Sequence, residues 1–125
     1  MTVSTFMLLT GSLVIIGWGF AHLSATRAVL KGFGEITTDN RLLVLMEWLA
    51  EGLTLCFLGL LVLTMTILGG KINPFAVLVC RLSSLMLLTL AGLSLLTGAK
   101  SSLIPLKISP WAKTAGALLI LLGTL

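Results

Sequence analysis

The chain has 125 residues, of which 58% are hydrophobic and only 10% charged, with a formal net charge of +4. That length points to one domain. A soluble domain carries about 25% charged residues, so neither a water-facing globule nor a disordered chain fits this composition. The basic excess forms no cluster interleaved with aromatics, so nucleic acid is not an expected partner.

Four apolar runs divide the sequence, at about 5–25, 42–68, 74–97 and 110–125. A bilayer core of about 30 Å takes roughly 20 helical residues, and the first three runs supply them. The opening residues have no basic segment ahead of the apolar run, so the first run is read as a retained helix rather than a cleaved signal. Between the first and second runs, Lys31-Gly32-Phe33-Gly34 permits a tight bend, and Thr38 or Asp39 is placed to cap the next helix. Gly69-Gly70 suits the end of that helix. Asn73-Pro74 and Ser109-Pro110 each read as a cap followed by a proline at the first helical position. Counted from Pro110, the fourth helix would span only about 24 Å, which is marginal. The expected fold is all-α: a single integral membrane domain over 1–125, built as a four-transmembrane-helix bundle, because lipid-exposed strands would leave backbone groups unpaired.

Charge sets an expected orientation. Loops 26–41 and 98–113 hold Arg27, Lys31, Arg41, Lys100, Lys107 and Lys113, whereas the opposite side holds Lys71 alone. The positive-inside rule places those two loops in the cytoplasm and both termini outside, in a multi-pass protein of the cell (inner) membrane. Trp18, Trp48 and Trp111 fall in the same half, where an aromatic belt belongs. The lipid bilayer is thus the first partner. Ser84, Ala91 and Gly98, then Gly52 and Gly59, then Ala112 and Gly116, form small-residue stripes that let helices approach closely. They suit packing within one bundle, and leave a homo-oligomer or a larger membrane complex open.

Ionisable residues inside apolar runs carry the functional expectation. Glu47 and Glu51 lie four apart, on one face of the second helix. A charge at the bilayer centre costs about 2.5–3.5 kcal/mol on insertion scales, which the surrounding Leu, Val, Ile and Phe residues offset. Glu51 sits about 15 Å beyond Arg41 and Glu47 about 9 Å beyond it. Arg81 lies about 10 Å into the third helix, near the small-residue stripe, placed either to bridge to Glu51 or to snorkel outward. His22 lies near the cytoplasmic end of the first helix. His22, Glu47, Glu51 and Arg81 are therefore expected as one polar column, either a set of pairs fixing helix order or a site for a ligand or proton. A lone His and two cysteines in apolar runs, Cys56 and Cys80, point to no metal site and no cofactor.

The segments Gly17-Trp18-Gly19-Phe20-Ala21-His22, Thr26-Arg27, Gly32-Phe33-Gly34, Asp39-Asn40-Arg41 and Met46-Glu47-Trp48 with Glu51-Gly52 resemble small uncharacterised bacterial membrane proteins of loosely DoxX-like, four-helix layout. The likeness covers about the first half of the chain. It implies an integral membrane protein and transfers no activity. Small multidrug-resistance transporters match in size, but their defining glutamate lies in the first helix, where this chain has none. Three functions follow as expectations. The first is a protein that binds or transports a small molecule or protons, the second an accessory subunit of a larger complex. The third is an isomerase-like membrane enzyme in which Glu47 or Glu51 shuttles a proton with His22 assisting.

Overall fold

Five α-helices and two short 3₁₀ turns account for the computed structural model, which describes all 125 residues and contains no strand. They are α1 (Val3–Ser24), α2 (Thr26–Gly32), α3 (Thr38–Leu68), α4 (Pro74–Leu96) and α5 (Ile104–Gly123). The all-α expectation holds, and α1, α3 and α4 are long and apolar enough to cross a membrane. The added element is α2, a two-turn helix that follows α1 directly and is anchored by the buried Val29. A left-handed glycine, Gly34 (φ 69°), turns the chain back towards α3.

Caps explain most of the boundaries. Thr2 accepts from the Thr5 amide at the start of α1, and Asn73 accepts from the amides of Phe75 and Ala76 at the start of α4. At the start of α3 the cap is Thr37, whose hydroxyl accepts from the Asn40 amide, so Thr38 and Asp39 lie inside the helix. The second long helix therefore begins at Thr38, ahead of the apolar run that starts at 42.

The last helix departs furthest from expectation. It starts at Ile104 with Pro105 in its first turn, and Pro110 lies inside it. Ser109-Pro110 is thus no helix start. A proline inside a helix removes one backbone bond, but the residues on both sides pack: Ser109, Pro110, Lys113, Gly116, Ala117, Ile120 and Gly123 are all buried. The helix has 20 residues in place of sixteen, a reach of about 30 Å.

The long helices α1, α3, α4 and α5 pack in a ring, with α1 against α3 and α5, and α4 against α5 and, more thinly, α3. Glycines set the closest approaches. A Cβ on Gly19 would lie 2.9 Å from the Cys56 backbone nitrogen, and one on Gly11 would lie 3.1 Å from the Gly116 carbonyl. The core runs along the ring interior through Leu8, Ile15, Leu55, Val62, Leu87, Ala117 and Ile120. Ser84 ties α4 to α5 by donating to the Ala117 carbonyl (2.8 Å).

Candidate functional site

All four long helices send a polar side chain to one point. α1 contributes His22 from its last turn, α3 contributes Glu51, α4 contributes Ser94 from its last turn, and α5 contributes Lys113. The Lys113 side chain is fully buried, and its ammonium donates to the Glu51 carboxylate and to the Ser94 hydroxyl. An unpaired ammonium buried this completely would cost several kcal/mol. The ion pair and the hydroxyl supply the compensation that burial demands.

His22 completes the group. Its Nε2 lies 3.8 Å from the second Glu51 oxygen and 3.1 Å from the Trp48 carbonyl, to which it donates in the tautomer that carries its proton there. Trp48 returns the bond, its indole N–H donating to the His22 carbonyl (3.0 Å). The two rings stack with centroids 3.7 Å apart and planes 14° from parallel. Gly52 makes this approach of α1 to α3 possible. A Cβ there would sit 2.5 Å from a Leu23 methyl and 3.2 Å from the His22 ring.

Beside this node the thin α3–α4 seam opens into a cavity of about 540 Å³. Its wall is mostly apolar, with Val44, Trp48, Leu90 and Leu106 among the lining residues, and Glu47, Glu51, Thr54, Ser94 and Thr97 supply the polar part. The exposed side chains of Phe33, Leu43, Met86 and Leu93 form its rim. Pockets that take small molecules have this makeup: an apolar lining of several hundred Å³ with a few polar groups at fixed positions.

Of the four expected site residues, the structure brings His22 and Glu51 together. Glu47 lies one helical turn from Glu51, exposed on the cavity wall and without an ion-pair partner. Arg81 belongs elsewhere. It lies about 15 Å nearer the opposite end than Glu51, by helical rise. Its guanidinium donates to the hydroxyl (3.2 Å) and carbonyl (3.1 Å) of Thr124. The expected single column is therefore two separate groups, a His22–Glu51–Lys113–Ser94 node at one end and an Arg81–Thr124 link at the other. Lys113 and Ser94 are not among the residues expected from sequence. A last helix begun at Pro110 leaves Lys113 at its loop end, whereas the helix begun at Ile104 carries it into the bundle. The signal that could have found it is the spacing 109, 113, 116, 120 and 123, one continuous helix face of mostly small residues.

Neither cysteine is bonded, and no three His, Cys, Asp or Glu side chains converge to hold a metal ion. Comparison with family models, curated proteins and solved structures finds no match to this chain.

Proposed function

We propose that this is a four-span membrane protein that binds a small lipophilic molecule in the α3–α4 cavity. The observation that carries the reading is the cavity itself: an apolar chamber between two membrane-length helices, rimmed by exposed apolar side chains, with Glu47, Glu51 and Ser94 on its wall. A ligand entering from the bilayer would keep its apolar body against Leu90 and Leu106 and turn a polar head to those groups. The Lys113 ion pair holds Glu51 in place from behind.

The fourth crossing is supported by the length of α5 and by its apolar packing on α1 and α4. With Lys113 withdrawn into the ion pair, Arg27, Lys31, Arg41, Lys100 and Lys107 remain at one end against Lys71 and Arg81 at the other. That imbalance favours a cytoplasmic end next to the node, with both termini outside. Binding is favoured over isomerase-like chemistry because His22 is buried, bonded to Trp48, and does not line the cavity. In that chemistry Glu47 or Glu51, both on the cavity wall, would shuttle the proton, and His22 has no direct opening from which to assist at a bound substrate.

Trp48 lines the cavity and reports on its contents. In a Trp18→Phe/Trp111→Phe background, a brominated long-chain alcohol should quench Trp48 fluorescence saturably, and Thr54→Phe should abolish the saturable part. Quenching that only rises in proportion to alcohol in the detergent micelle, equally in both proteins, would contradict the reading.

A further inference from the structure

A second hollow lies at the same end of the molecule, outside the α3–α4 seam. It measures about 440 Å³ and is lined by Arg27, Leu30, Lys31, Gly34 and Arg41. Three of its five lining residues are cationic, and none of the three forms an ion pair. Carboxylates are close in sequence, at Glu35 and Asp39, yet neither lines the hollow nor pairs with these cations.

The arrangement works against the stability of the isolated chain. Arg27 and Lys31 are four apart on α2 and share one face, where like charges destabilise a helix by about 0.2–0.5 kcal/mol. Arg41 is brought up to them from the first turn of α3 by the reversal at Gly34. Val29 is buried and pins α2 from its other side. A general bias of basic residues towards the cytoplasm explains why these side chains lie at this end. It does not explain why three of them converge on one concave surface with no counter-charge. Lys100 and Lys107 satisfy the same bias and line neither this hollow nor the seam cavity.

We propose that this hollow is a phosphate-binding site. Two guanidinium groups offer forked donors matched to phosphate oxygens, and the Lys31 ammonium adds a point charge. The site lies where α1 and α3 reach the end of the bundle, at the level of lipid headgroups in the four-span arrangement. Basic pockets between membrane helices at that level bind the phosphate of anionic lipids. The same chemistry would take a soluble phosphate ester, and the experiment separates the two sources. The site does not depend on what occupies the α3–α4 cavity.

The test is native mass spectrometry of the full chain in a non-ionic detergent, titrated with phosphatidylglycerol, with phosphatidylcholine, or with inorganic phosphate. Three proteins are compared: wild type, Arg27→Gln/Lys31→Gln/Arg41→Gln, and Lys100→Gln/Lys107→Gln. Wild type should retain phosphatidylglycerol in preference to phosphatidylcholine. Each basic residue near a headgroup is worth about fivefold, so the triple variant should lose affinity on the order of a hundredfold. The Lys100→Gln/Lys107→Gln protein should bind as wild type does. The same pattern with inorganic phosphate would keep the site and identify a soluble ligand. Equal lipid retention by wild type and the triple variant, or a similar loss in both variants, would overturn the proposal. Far-ultraviolet circular dichroism distinguishes an unfolded triple variant, and the single variant Arg41→Gln, outside α2, should still show about a fivefold loss.

Discussion

Lys113 reaches across the helix ring to Glu51, joining α5 to α3, two helices that otherwise share no extended contact. Through Ser94 and His22 the same point also touches α4 and α1. One ion pair therefore links all four long helices beside the cavity, and it fixes where the Glu51 carboxylate stands.

The pair should show strong coupling. Lys113→Met leaves the Glu51 carboxylate without its partner, but that group is 28% exposed beside the cavity. The loss should therefore fall below the ~3–5 kcal/mol of a fully buried pair broken from one side. Glu51→Gln should likewise destabilise, by leaving the fully buried ammonium without a counter-charge. The double variant Lys113→Met/Glu51→Gln should recover much of the loss. A double-mutant cycle of unfolding in detergent measures it, and additive losses would mean that the two residues act independently.

Two glycines on α1, Gly17 and Gly19, make a matched comparison. Gly19→Ala would set a Cβ 2.9 Å from the Cys56 backbone nitrogen. α1 and α3 must then separate, at about 1–3 kcal/mol. Gly17 is exposed, and a Cβ added there would meet nothing within 4 Å. Gly17→Ala should therefore be neutral or stabilise by up to about 1 kcal/mol. Thermal unfolding of the two variants against wild type checks both signs.

Trp48→Phe should keep most of the stacking on His22 while removing the indole donor to the His22 carbonyl. That carbonyl still accepts from the Ala25 amide, so it is not orphaned. The expected loss is therefore about 0.5–1.5 kcal/mol, the ordinary net worth of a hydrogen bond. A loss of several kcal/mol in chemical denaturation would show that the ring also carries packing that Phe cannot replace.

The helices are legible in the sequence where apolar runs and caps agree. α1, α3 and α4 follow from run length and from Asn73-Pro74, and their expected bounds lie within a few residues of those found, with the start of α3 the largest difference. α5 is harder to read because two signals conflict. Pro110 is chemically suited to a helix start, but Ser109 is buried with it and Leu106 lies close against Gly98, and the turn before the proline is helical. That single shift moves Lys113 from an interfacial loop into the bundle. The site is half legible for the same reason: Glu51 and His22 stand out as ionisable residues in apolar runs, whereas their shared partner is hidden by the competing helix start. Arg81 has a long side chain, and periodicity does not decide which end it turns to.

The most direct test of ligand binding in the α3–α4 cavity is native mass spectrometry of the full chain extracted gently from its own membrane, as wild type and as Thr54→Trp. Thr54 lines the cavity and its hydroxyl bonds only to the Ala50 carbonyl of its own helix, so the indole fills the space without breaking an interhelical bond. Wild type should retain a small lipophilic molecule that is absent from Thr54→Trp. Empty wild-type protein, or the same molecule retained equally by both, would contradict binding in the cavity.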